Sequence, residues 1–219
     1  MQNRARVLRI ASLAALIVCG ILLMTAADAL AQNQPRQHDR GFFLRMSAGI
    51  GSASTGEDFP TGFGDVDLDA SGLSGDANFA IGAIVSPNLA LHATLMGWSV
   101  VDPDVEIGGI GFETDDVTMS LSGFGAGLTY YVHPANIYFS GSVCAATLEL
   151  EARRENTTVT AESDTGVAFD FTVGKEWWVG DRWGLGLAGD FGLHSIPDAE
   201  ADGDLSGTNF GVRFSATYN

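Results

Sequence analysis

From Val167 the chain places an apolar side chain at every second position, Val167, Phe169, Phe171 and Val173, with Ala168, Asp170, Thr172 and Gly174 between them. After a break at 179–182 the rhythm resumes, with Trp183, Leu185, Leu187, Gly189, Phe191 and Leu193 on one side and Gly184, Gly186, Ala188, Asp190, Gly192 and His194 on the other. A period of two is the signature of a strand with unlike faces, and two such runs joined by a tight turn predict one long β-hairpin. Its second face is built from Gly, Ala and Thr with an acid in each strand, and Trp177, Trp178 and Trp183 crowd its turn. A membrane-spanning barrel needs this arrangement: large apolar side chains toward lipid, small and polar ones toward a narrow lumen, and aromatic rings at the water boundary.

The same alternation runs through the rest of the chain. Phe42, Leu44, Met46, Ala48 and Ile50 oppose Phe43, Arg45, Ser47, Gly49 and Gly51; after a predicted loop from Ser52 to Gly72, Leu73 to Val85 keep odd positions apolar against Ser74, Asp76, Asn78, Ala80 and Gly82. A third strand from Leu89 gives way near Trp98 to an acidic loop ending near Thr114. In the fourth, Val117, Met119 and Leu121 keep odd phase while Phe124, Ala126, Leu128 and Tyr130 keep even phase, so a β-bulge is predicted near Gly123. A fifth strand begins at Ile137, a charged loop spans Glu149 to Thr165, and a last loop spans Ser195 to Gly207. The eighth strand sets Phe210, Val212, Phe214, Ala216 and Tyr218 outward and Asn209, Gly211, Arg213, Ser215 and Thr217 inward.

The punctuation is regular. Odd-numbered strands start near Phe42, Leu89, Ile137 and Trp183, steps of 47, 48 and 46 residues, each made of strand, long loop, strand and short turn. Long loops therefore gather at one end of an up-and-down meander, and 20 of the 27 acidic residues fall in them, while the aromatic residues Phe42, Phe43, Tyr130, Tyr131, Tyr138, Trp177, Trp178 and Trp183 gather at the other as an expected girdle. A soluble eight-stranded barrel would show the reverse, with apolar residues inside and a polar exterior, which the Gly, Ala and Ser of the second face do not supply.

Arg4, Arg6 and Arg9 precede an apolar run from Ile10 to Met24, and Ala29-Leu30-Ala31 supplies a small-x-small cleavage site. Residues 1–31 are accordingly read as a cleaved signal peptide, 32–40 as a polar linker without fixed structure, and 41–219 as the barrel. Removing 1–31 takes away three arginines and Asp28, leaving 8 basic and 26 acidic residues and a net charge of −18, which disfavours nucleic acid as a partner. Cys144 is then the one remaining cysteine, so no intramolecular disulfide is expected.

The strand number, the loop asymmetry, the Gly125-Ala126-Gly127-Leu128-Thr129-Tyr130-Tyr131 run and the final alternating strand resemble the small eight-stranded outer-membrane barrels of Gram-negative bacteria, the OmpA-like, OmpX-like and OmpW-like proteins. The resemblance covers residues 41 to 219. It implies an all-β, antiparallel, up-and-down transmembrane barrel in the bacterial outer membrane, monomeric, in contact with outer-membrane lipid and lipopolysaccharide, and inserted by the barrel assembly machinery. Two departures accompany it. No peptidoglycan-binding domain is expected after the barrel, which would remove a cell-wall tether, and Tyr218-Asn219 stands where the family's assembly signal usually ends in an aromatic residue.

Two clusters are candidate sites. Asp170, Asp190 and Arg213 share the inward phase and Arg45 reaches the same wall by closure of the last strand on the first, so the four are predicted to form an ionic plug in the lumen; a hairpin centred at Gly180 would set Asp170 opposite Asp190, and a final loop centred between Ala201 and Asp202 would bring Asp190 near Arg213. In the last loop, Asp198, Glu200, Asp202 and Asp204 with Gly203 follow the spacing of a calcium loop, which predicts weak calcium binding and no other cofactor. No catalytic residue is assigned. His194 and Ser195 are adjacent on a strand and so point to opposite faces, and His92 shares its strand face with no second ligand. The expected function is that of a non-enzymatic outer-membrane barrel acting through acidic surface loops, in interaction, adhesion or envelope integrity; a channel for small solutes is the alternative and a lipid-modifying enzyme the third reading.

Overall fold

The computed structural model describes residue 38 and residues 41–61, 64–154, 157–179, 181–198 and 203–219. The signal segment 1–31 and all of the linker but His38 lie outside the described residues. Eleven strands form: β1 (Gly41–Thr61), β2 (Gly64–Ser86), β3 (Leu89–Val101), β4 (Asp104–Ile107), β5 (Ile110–Glu113), β6 (Val117–Val132), β7 (Ile137–Arg154), β8 (Thr157–Glu162), β9 (Gly166–Trp178), β10 (Trp183–Pro197) and β11 (Asp204–Tyr218). Eight of them, β1, β2, β3, β6, β7, β9, β10 and β11, are staves paired antiparallel with their neighbours, and β1 pairs with both β2 and β11, so the sheet closes into a barrel. The odd-numbered staves begin at Gly41, Leu89, Ile137 and Trp183, matching the spacing read from the sequence.

Closure abolishes sheet edges over the length of the staves, which is what lets backbone polar groups enter lipid. No helix among the described residues is long and apolar enough to cross a membrane, and the chain crosses with strands. Outward side chains form an apolar belt, with Ile50 68% and Phe214 74% exposed, while the positions between them are buried. Above the belt the outward positions become hydroxyls along paired strands, Ser99 beside Ser120 and Ser122 beside Thr147.

Four sequence expectations are corrected. The predicted loops are largely strand: β1 and β2 stay paired out to Thr61 and Gly64, β4 and β5 occupy the acidic segment after β3, β8 pairs with the extended β7, and β10 pairs with β11 out to Pro197 and Asp204. These extensions stand beyond the belt as a crown. Their Gly and Asp residues disfavour strand on propensity alone, but the staves below already hold the backbones in register. Second, β6 pairs without interruption with β3 and β7 through Gly123, so no bulge exists there; the register shift lies between Ile84 and Ser86, beside the short turn. Met119 and Leu121 point inward, with 1% and 2% exposure. Third, Phe43, Tyr131 and Tyr138 are buried in the lumen, and the girdle is made by outward rings such as Phe42, Tyr130, Trp183 and Tyr218. Fourth, His38 of the linker is buried, stacked 3.5 Å from the Tyr131 ring and bonded through Nε2 to Asn136 Oδ1 at 2.8 Å, so it packs at the short-turn end.

Candidate functional site

The interior is filled in three tiers. At the short-turn end Phe43, Ala80, Ile84, Ala90, Tyr131, Tyr138 and Ala188 pack together. Glu176 lies among them and accepts from Thr217 Oγ1 at 2.6 Å and from the Tyr131 hydroxyl at 3.3 Å. Arg45 belongs to this tier: its Nη2 donates to Ser140 Oγ at 2.8 Å and its guanidinium lies 4.6 Å from the centre of the Tyr138 ring. Beside it, the two ring nitrogens of His92 bond Thr94 Oγ1 at 2.8 Å and Thr129 Oγ1 at 3.0 Å.

The middle tier is ionic. Arg213 Nη1 donates to Asp170 Oδ2 at 2.9 Å and Nη2 lies 3.1 Å from Asp190 Oδ2, all three side chains buried. Thr172 Oγ1 also donates to Asp170 Oδ1 at 3.1 Å, and Asn209 Nδ2 donates to Asp190 Oδ2 at 3.5 Å. Of the four residues read from the sequence, the structure joins Asp170, Asp190 and Arg213 and places Arg45 a tier away with aromatic and hydroxyl partners. The registers differ from expectation by two residues: Asp170 faces Gly192, and Asp190 faces Thr172 on one side and Gly211 on the other. Two residues is one step along a single face, so the inward phase survives and the aspartates meet the guanidinium diagonally.

Asp76 is the member that sequence reasoning missed. A side-chain carbon added at Gly211 would lie 3.1 Å from both Asp76 Oδ2 and Asp190 Oδ1, so the two carboxylates converge over this glycine. Ser74 Oγ donates to Asp76 Oδ2 at 3.3 Å. Its inward phase on the second strand was the available signal, but nothing in the linear order says that β2 and β11 face the same patch of lumen.

The upper tier is apolar: Met96, Trp98, Val100, Met119, Leu121, Cys144, Ala146, Leu148, Ala168 and Ile196 form one buried cluster. Beside it, Thr55 Oγ1 and His194 Nε2 are bonded at 2.7 Å, and Ser195 lies outside on the opposite face. This leaves His194 no serine partner of its own strand. Each tier is occupied by side chains from several staves.

In the crown, Glu57 is buried and Gly203 passes so close that a side-chain carbon there would lie 1.9 Å from Glu57 Oε1. Burial pushes the Glu57 carboxyl above the ordinary range, and Asp198 and then Asp204 beside it push the same way. Of the predicted calcium loop, Glu200 and Asp202 lie outside the described residues, and among the described residues no three or more His, Cys, Asp or Glu side chains are gathered as a metal site.

No family model matches the sequence, and no curated protein matches it. Among solved structures, Neisserial surface protein A is similar at 9% identity over 82% of this chain and 98% of its own, with a TM-score of 0.49. The outer membrane protein OprG from Pseudomonas aeruginosa is similar at 11% identity over 83% and 98%, with a TM-score of 0.45. The outer membrane protease OmpT from Escherichia coli is similar at 11% identity over 85% and 99%, with a TM-score of 0.40. Likeness at this level carries no residue, substrate or partner across. By its own closure, apolar belt, aromatic girdle and asymmetric ends, the chain has the architecture of the small outer-membrane β-barrels.

Proposed function

We propose that this outer-membrane barrel is a closed, non-enzymatic scaffold whose work is done by its acidic crown, as an interaction or adhesion protein of the cell envelope. The observation that carries this reading is the lumen, which among the described residues is filled by an aromatic tier, an ionic tier and an apolar tier, a packing that suits a scaffold better than a pore. What remains accessible is the crown, where paired strands project acidic side chains beyond the membrane. Weak calcium binding at the Asp198–Asp204 segment belongs to the same proposal, because oxygen-rich acidic loops suit a hard cation.

Planar-bilayer recording of the purified barrel tests it. No conductance steps are expected from the folded chain. Steps that appear with wild type and change in size with Arg213→Met would replace the scaffold by a channel, and turnover of labelled lipid by the wild type would replace it by an enzyme.

A further inference from the structure

The β4–β5 hairpin has two unlike faces and one open edge. Its turn, Gly108-Gly109, has φ of 55° and 83°, the left-handed pair of a two-residue type I′ turn. On one face the paired rows are Leu68, Ile107 and Ile110, and Ala70, Val105 and Phe112; Ala70 packs against the buried upper tier, so this face turns toward the barrel mouth. On the other face the rows are Asp69, Glu106 and Gly111, and Ser71, Asp104 and Glu113. Ile107, Ile110 and Phe112 are 43%, 64% and 52% exposed although no lipid reaches them, since β4 pairs with β2 beyond Leu73, the last apolar outward residue of that stave's belt.

Among the described residues β5 pairs with β4 alone, so its other edge is unpaired. In a two-residue hairpin the flanking pair, Ile107 and Ile110, exchanges both hydrogen bonds, and the next pair points its backbone groups away. By that alternation Gly111 and Glu113 present N–H and C=O groups to the open edge. Unpaired strand edges are templates for a further strand. A strand added here would set alternate side chains beside Ile110 and Phe112 on the apolar side and beside Gly111 and Glu113 on the acidic side.

Charge selects the occupant. No Lys or Arg occurs from Ser47 to Ala152, an interval holding 14 acidic residues. A second copy of this chain would bring acid against acid at the same edge. We infer that the open edge of β5 takes up an extended polypeptide segment of a partner in which apolar and basic residues alternate, by strand addition. This rests on the interaction reading above and names its partner chemistry.

The test uses the full barrel in neutral detergent and a short synthetic peptide alternating valine and lysine, carrying a fluorophore read by anisotropy. Saturable binding that weakens as salt rises is expected. Gly111→Pro removes the outward N–H where a side-chain carbon meets nothing within 4 Å, so the barrel keeps its heat-modifiable gel migration while binding falls about tenfold. A peptide N-methylated at alternate residues should bind no better than background. Equal binding by Gly111→Pro, or by the N-methylated peptide, overturns the edge assignment yet leaves the crown as an interaction surface; conductance in the bilayer experiment strikes the broader reading instead, whatever the peptide does.

Discussion

Arg213 Nη1 donates to Asp170 Oδ2 at 2.9 Å with each side chain 2% exposed, 43 residues apart in the chain. A pair this deeply buried stabilises little by itself, because desolvation offsets attraction, but removing one partner leaves an uncompensated charge. Arg213→Met should therefore cost about 3–5 kcal/mol in a urea titration of the detergent-folded barrel. Adding Asp170→Leu should recover part of that loss. If the double variant is no more stable than Arg213→Met, the pair is not the source of the cost.

The third carboxylate makes a prediction of opposite sign. Asp170 and Asp190 share the Arg213 guanidinium, Asp76 converges on Asp190 over Gly211, and Asp190 Oδ1 has no hydrogen-bond partner among the described atoms. Like charges in a poorly solvated interior repel, and three carboxylates exceed the charge of one guanidinium, with Asp76 the one not ion-paired to Arg213 among the described residues. Asp76→Asn, which keeps the acceptor for Ser74, should raise the urea midpoint, whereas Asp170→Asn should lower it. Equal losses for both would show that Asp76 is as fully compensated as Asp170.

The middle tier was legible in the sequence because Asp170, Asp190 and Arg213 sit inside long unbroken alternations, where phase alone fixes the face. The register was not, since one residue in the centre of a turn shifts every opposite partner by two. Met119 and Leu121 misled for a different reason: an inward face was assumed to be small and polar, so large apolar side chains were turned to lipid by means of a bulge. The lumen instead also holds a large apolar cluster, and Met119 and Leu121 fill its upper part beside Trp98 and Leu148. The crown strands were hidden by composition, for pairs such as Asp69 with Glu106 and Glu149 with Glu162 carry no alternation of hydropathy.

The phase of β6 can be checked chemically. In a Cys144→Ser background, Ser122→Cys should react with a membrane-permeant maleimide in the folded barrel and Leu121→Cys should not, since Ser122 is exposed and Leu121 buried. Reaction at 121 with protection at 122 would restore the bulge.

Narrowness of the lumen is tested by two glycines. A side-chain carbon at Gly125 would lie 1.9 Å from Val143 O and 2.6 Å from Cys144 Cα, whereas one at Gly75 meets nothing within 4 Å. Backbone contacts cannot be relieved by a rotamer change, so Gly125→Ala should destabilise by about 1–3 kcal/mol while Gly75→Ala stays within about 0.5 kcal/mol of wild type. Matching midpoints for the two variants would mean that the staves can part to admit a methyl group.

Glu57 gives the crown a dependence on pH. Its carboxyl is raised first by burial and then by Asp198 and Asp204, so the folded chain holds this proton more tightly than the unfolded chain does. Between the ordinary glutamate value of about 4.3 and the raised folded value, the native state binds more protons than the unfolded one, and stability falls as pH rises. Above the folded value the cost is constant, and below about pH 4 it is absent. Glu57→Gln keeps a donor toward Asp198 and removes the ionisation. Urea titrations of the two proteins should thus coincide near pH 4 and separate at pH 8 with the variant the more stable; a variant less stable at pH 8, or a gap of the same size at both pH values, would show that the Glu57 carboxylate is accommodated in the crown without strain.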